Sequence, residues 1–167
     1  MQRWKADVLR QKTELTKNIS MAAGFFVNEK ENLNMVKVIQ HMVSLPAKPG
    51  KLYDMYINPE IHAAFTGGGV VISPESNSQF LAFDGMIFGR TLSVIPGRQV
   101  IQSWRSKEWK ESDRDSVLIL NFLPDGDAGK IELIHVNVAE GDFDDVNKGW
   151  LKYYWKPWRE YLKKEKK

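Results

Sequence analysis

The sequence predicts an α+β fold: a curved antiparallel sheet of six or seven strands around a long C-terminal helix, with two short helices after the first strand. The stretch Asp144–Leu162, DDVNKGWLKYYWKPWREYL, holds three of the six tryptophans and three of the five tyrosines. At about 100° per residue, Lys148, Lys152, Lys156, Arg159 and Lys163 share a narrow arc. Trp150, Leu151, Tyr154, Pro157, Trp158, Tyr161 and Leu162 spread over the opposite side. So wide an aromatic face must be buried against something large. The chain before it, from Val70 to Val138, reads as short strands joined by tight turns, which supplies that partner.

Residues 1–34 read as an N-terminal appendage. Trp4, Val8, Leu15 and Ile19 lie on one side of a helical pattern from about Arg3 to Ile19. Met21 and Met35 each precede plausible alternative starts. Residues 35–162 form the domain, and 163–167, KKEKK, a basic tail. Val36–Leu45 is the first strand, ended by Pro46 and Pro49. A short helix follows from Gly50, with Leu52, Met55 and Tyr56 as its packing face. A second opens at Pro59 with Asn58 as cap and runs to about Phe65. Gly67-Gly68-Gly69 reads as a flexible bend; no Lys-Ser/Thr follows and dinucleotide glycine spacing is missing, which excludes a phosphate loop.

Val70–Ile72 is a short strand candidate. Gln79–Phe83 passes through Asp84-Gly85 into Met86–Ile95, a hairpin signal. Pro96-Gly97 turns the chain into Val100–Arg105. Ser116–Phe122 and Lys130–Val138 are joined through Pro124-Asp125-Gly126. In the last strand Ile131, Leu133 and His135 share the inward face, with Lys130 and Glu132 outward. One of Trp104 and Arg105 must face inward, and periodicity leaves both open. Pro157 bends the long helix, and Asp142 or Asp144 caps its start.

Composition narrows the function classes. The chain has no cysteine, which excludes disulfides and thiolate chemistry. The formal net charge of +3 resides entirely in KKEKK, and residues 1–162 balance 20 basic against 20 acidic groups, so no nucleic-acid footprint emerges. There is no membrane-length apolar run and no signal-peptide pattern, so a cytoplasmic protein is expected. His41 and His62 have no partner at metal-ligand spacing and read as surface or locally bonded histidines. Neither a metal nor a cofactor is expected.

The ordered set IQSWR, Trp109, DSV, His135 and GW-x3-YW-x-P resembles the C-terminal domain of the activators of the heat-shock-protein-90 ATPase. That family lies within the START/birch-pollen-allergen-like helix-grip superfamily. The resemblance runs from about Val36 to Leu162 and includes Phe83-Asp84-Gly85, Gly89, Pro96-Gly97, Ile101, Trp104-Arg105, Ser116, Leu133, Gly149-Trp150, Tyr154-Trp155, Pro157 and Tyr161. It implies a helix-grip fold, often with a cavity between sheet and helix for apolar molecules. The 35 residues before the match are too few for the separate N-terminal domain through which two-domain eukaryotic activators gain much of their chaperone binding.

Three functions compete. The first is noncatalytic binding of an apolar or amphipathic small molecule between sheet and helix, with Trp104, Arg105, His135, Trp150, Tyr153, Tyr154, Pro157 and Trp158 as the site. Here Arg105 would suit a ligand carboxylate, and His135 would orient the ligand. The second is a protein-interaction module, including a chaperone regulator. The third is a cyclase or hydrolase with His135 as base beside Tyr154; it has no evident carboxylate partner or nucleophile motif.

Overall fold

The structure, a computed structural model, describes residues 37–165. The expected appendage 1–34 and the last two residues of the basic tail lie outside the described residues. Six strands form a single sheet: β1 (Val38–Leu45), β2 (Gln79–Ala82), β3 (Ile87–Ile95), β4 (Gln99–Ser106), β5 (Ser116–Asp125) and β6 (Ala128–Val136). Their spatial order is β1-β6-β5-β4-β3-β2, every neighbouring pair antiparallel. The last strand of the meander therefore closes back onto the first. The expected seventh strand, Val70–Ile72, is only an isolated bridge between Val71 and Leu81. Pro74, without an N–H, follows close behind and cannot extend the pairing.

Alternation decides the inward face. Along β4, β5 and β6 every second residue is buried. Val100, Gln102 and Trp104 pair with Leu120, Leu118 and Ser116, and Phe122, Leu120 and Leu118 pair in turn with Ile131, Leu133 and His135, all buried on the concave side. Trp104 is thus the inward member of its pair, and Arg105 points to the other face.

Helices α1 (Pro49–Ile57) and α2 (Pro59–Thr66) close one end of this concavity. Each opens on a proline, whose missing N–H costs nothing at a helix start. Asn58 joins them: its N–H donates to the Asp54 carbonyl, and its side chain accepts from Ile61 N at 2.8 Å. We expect Asn58→Ala to cost about 1 kcal/mol, read from urea denaturation. An unchanged midpoint would mean that packing alone holds the junction. Gly67 caps α2 in the left-handed region at φ 83°. The next glycine has a steric role: a Cβ on Gly68 would lie 2.9 Å from the Phe83 Cα. The triple glycine is therefore a tight seat for the β2–β3 turn as well as a bend.

The C-terminal element is helical throughout, with a change of pitch. α3 (Phe143–Gly149) leads into a π-helical turn, Trp150–Trp155, and then α4 (Lys156–Glu165). Lys156 N–H reaches back five residues to the Leu151 carbonyl. The widened turn immediately precedes Pro157, whose ring would crowd the carbonyl four residues back in a regular helix. It also changes which side chains face inward. Trp150, Tyr154, Trp155, Trp158 and Leu162 are all buried, whereas Leu151, expected on the buried face, is 63% exposed.

Candidate functional site

A cavity of about 420 Å³ lies between the sheet and the first half of the C-terminal element. Phe83, Met86 and Ile87 enter it from the β2–β3 turn and the start of β3. Trp104, Ser106 and Glu108 come from β4 and the residues after it, at strand spacing. The opposite wall is a stripe at helical spacing: Asp142, then Asp145 and Val146, then Gly149 and Trp150, then Tyr153 and Tyr154. Met86, 42% exposed, and Tyr153, 46% exposed, stand at its solvent side. The volume suits a small organic molecule, and the lining is chiefly rings and aliphatic chains.

Two buried histidines stand behind these walls. Trp150 Nε1–H donates to His135 Nδ1 at 3.2 Å, so the ring proton of His135 sits on Nε2. Nε2–H donates to Ser116 Oγ at 2.8 Å, and the Ser116 hydroxyl donates to the Trp104 carbonyl at 2.7 Å. The chain is complete and leaves no acceptor for a second proton on His135. Burial lowers its pKa to about 3. His62 has the opposite tautomer: Nδ1–H donates to the Tyr56 carbonyl at 2.8 Å, and Nε2 accepts from the Tyr154 hydroxyl at 3.2 Å. Burial lowers its pKa to about 4, and pushes the Tyr154 phenol up. Both rings are neutral structural hubs.

Of the residues expected to form the site, the structure brings Trp104, Trp150, Tyr153 and Tyr154 to one cavity. The other four lie outside its lining. His135 is buried directly behind Trp104 and Trp150, with ring centroids 4.8 and 5.8 Å away. Arg105, on the outer face, donates to the carbonyls of Asp113 and Lys110 and to the Asp115 carboxylate, pinning the loop after β4. Trp158 is packed into the opposite end, stacked on Phe65 at 4.4 Å, with its N–H toward Met55 Sδ at 3.4 Å. Pro157 belongs to that same turn, one residue before it. His62, expected at the surface or locally bonded, is fully buried and bonded both locally and across to Tyr154.

The imagined His135–Tyr154 acid–base pair does not form, because the Tyr154 hydroxyl turns to His62. Ser116 and His135 have the separation of a nucleophile and its base, yet the Ser116 proton is committed to the Trp104 carbonyl. The second nitrogen of His135 meets an indole where a catalytic dyad would have an orienting carboxylate. Neither side chain lines the cavity. Among the described residues no group of three His, Asp or Glu could hold a metal ion, and no helix is long and apolar enough to cross a membrane.

Sequence reasoning missed Phe83, Met86, Ile87, Ser106, Glu108 and the acidic turn at Asp142 and Asp145. The signal was present for the last two. Carrying the Tyr153/Trp150 stripe back by three or four residues per turn reaches Val146, Asp145 and Asp142.

A curved antiparallel sheet gripping a C-terminal helix across a lined cavity defines a domain of the START-like helix-grip class. Within that class, the chain belongs to the family described as "Activator of Hsp90 ATPase homolog 1-like protein", whose sequence model matches residues 46–163. An activator of 90 kDa heat shock protein ATPase homolog from Dictyostelium discoideum is 22% identical over 114 residues, 68% of this chain and 30% of that protein. Homolog 2 from Mus musculus is 30% identical over 74 residues, 44% of this chain and 22% of that protein. The chain thus spans less than a third of the length of these curated relatives. Among solved structures, an HSP90 activator from Plasmodium falciparum superposes with a TM-score of 0.65 at 17% identity, covering 70% of this chain and 89% of that one. CalU16 from Micromonospora echinospora gives 0.60 at 21% identity, covering 71% of each chain.

Proposed function

We propose that the domain binds an apolar or amphipathic small molecule, without chemical turnover, in the cavity between the sheet and the C-terminal helix. One observation carries this reading: Trp104, Trp150, Tyr153 and Tyr154 converge with Phe83 on a 420 Å³ space that their own packing leaves unfilled. Rings supply large contact area at low entropic cost, and partial exposure of Tyr153 gives an entrance. Native mass spectrometry of protein purified from its own host, repeated after denaturation and extraction, tests it. The expected result is a reproducible small-molecule adduct that leaves on unfolding. A clean apo mass, together with no uptake of a fluorescent apolar probe, would overturn the reading.

Tyr153→Ala should weaken such binding about tenfold, since it removes one wall. Because the ring is half exposed, stability should change by less than about 1 kcal/mol. Parallel probe titration and urea unfolding check this, and an unchanged affinity would remove Tyr153 from the site.

A second reading, a protein-interaction module that regulates a chaperone, is favoured by a different surface. On the outer face of the sheet the register places Val38, Val136 and Val117 in one row and Ile134, Ile119 and Ile101 in the next. None of the six is buried. A contiguous aliphatic face suits a protein partner. Calorimetry with purified Hsp90, using Ile119→Lys as control, tests this. Absence of binding, or binding indifferent to the substitution, would sink it.

A further inference from the structure

We propose that the molecule taken up by this cavity is a cation, an amphiphile whose charged end is a quaternary or protonated amine. This inference rests on the small-molecule reading above and adds the sign of the charge. The cavity's charged lining residues are Glu108, Asp142 and Asp145, and no Lys, Arg or His among the described residues lines it. The three carboxylates come from two separate elements, the turn after β4 and the start of the C-terminal helix. Both elements therefore bring acidic residues to the lining of the same cavity. Asp142 is fixed there by Trp109 Nε1–H, which donates to its Oδ2 at 2.6 Å. Glu108 and Asp145 form none of the ion pairs found among the described residues.

The aromatic walls favour the same sign. Trp104, Trp150, Tyr153 and Tyr154 all line the space, and the face of an aromatic ring carries the negative lobe of its quadrupole, which attracts an alkylated ammonium. Tyr153 already attracts a cation: Lys152 Nζ stands 4.8 Å from its ring centroid, although Lys152 is not part of the lining. An anionic head group would meet three acidic residues in the lining, with Lys152 beside Tyr153 as the cation the structure places against one of the lining rings. Arg105, the guanidinium expected to suit a ligand carboxylate, is spent on the opposite face of the sheet. Beyond the head group, Phe83, Met86, Ile87 and Val146 offer hydrocarbon contact for a tail.

Three probes of nearly equal tail separate charge from shape: decyltrimethylammonium, decyldimethylamine N-oxide and decanoate, each below its micelle concentration at pH 7.5 and low salt. Binding is followed by NMR through the indole N–H signals of Trp104 and Trp150. The ammonium should bind about tenfold more tightly than the isosteric N-oxide, with decanoate weakest. In Glu108→Gln/Asp142→Asn/Asp145→Asn the preference should shrink to about twofold, and 0.5 M salt should erode it in the unmodified protein. Should loss of the Asp142 charge unfold the triple variant, Glu108→Gln/Asp145→Asn makes the same test on two exposed side chains. Equal affinity for ammonium and N-oxide, or a preference that survives the substitutions, would overturn the charge assignment and leave the cavity reading standing. No shift of either indole with any probe would overturn both.

Discussion

Acidification from pH 7 to 4.5 is expected to withdraw on the order of 5 kcal/mol from the stability of the domain, through His62 and His135 alone. Their folded pKa values are about 4 and about 3, against an ordinary value of 6.5. Between those limits the unfolded chain binds a proton at each histidine that the folded chain refuses. Stability therefore falls as pH falls, is fully present above about pH 6.5, and levels off once the folded rings titrate. Two pH units below the unfolded pKa, at about 1.4 kcal/mol per unit, give nearly 3 kcal/mol for each ring. Domains hold only about 5–15 kcal/mol in total, so the loss is large enough to unfold a domain at the lower end. The window ends just above the midpoints of ordinary carboxylates, about 3.9 for Asp and about 4.3 for Glu, so most of the expected loss, between about pH 6.5 and 5, precedes their titration. Urea midpoints measured by tryptophan fluorescence at half-unit intervals check this. A flat profile from pH 7 to 4.5 would show that both rings take up a proton while folded, contradicting the closed bonding around His135, and a fall of half the size would show that one does.

Much of the fold was legible because its signals are local. Strand alternation placed Ile131, Leu133 and His135 on the inward face, and Asp84-Gly85 and Pro96-Gly97 marked two of the turns. What escaped depends on contacts distant in sequence or on a break in periodicity. Trp150, Tyr154, Trp155, Trp158 and Leu162 stand at offsets 0, 4, 5, 8 and 12. Removing one residue between the first and second gives 0, 3, 4, 7 and 11, an unbroken helical stripe. The π-helical turn accommodates that extra residue. At a constant 100° per residue Trp155 falls about 140° from Trp150 and looks exposed, so its buried position and its bond to His41 Nδ1, 2.8 Å, were invisible. Proline two residues beyond Trp155 was the available hint.

The candidate site was only half legible for a different reason. A cavity exists where side chains from separate elements fail to meet, and no single element's pattern reports that failure. Aromatic content pointed to Trp104, Trp150, Tyr153 and Tyr154. It pointed equally to Trp158, which α1 and α2 cover completely. His135 misled by its strand phase: facing inward is necessary for lining a cavity, but Trp104 and Trp150 stand between it and the space.

Trp150→Ala should cost about 3–5 kcal/mol, the range for removal of a large buried aromatic side chain. Trp150 is 3% exposed, and its ring contacts Tyr154 at 4.6 Å, stacks on Trp155 at 5.7 Å and meets His135 at 5.8 Å, edge to face. Truncation also removes the donor to His135 Nδ1, leaving a buried acceptor unpaired, which by itself costs about 1–3 kcal/mol. Trp150→Phe separates the two effects, because it keeps an aromatic ring and deletes only the N–H and part of the area. The phenylalanine variant should therefore lose less than the alanine variant, and the difference should track lost packing. Because the ring also forms a wall of the cavity, the alanine variant should enlarge the space. An apolar probe small enough for the vacated volume should then recover part of the lost stability by binding the folded state. Urea unfolding of both variants, with and without such a probe, distinguishes the possibilities. Equal losses in alanine and phenylalanine variants would assign the effect to the His135 bond alone. A loss near zero in both would mean that Trp150 does not join helix to sheet, and the packing of this half of the grip would have to be redrawn.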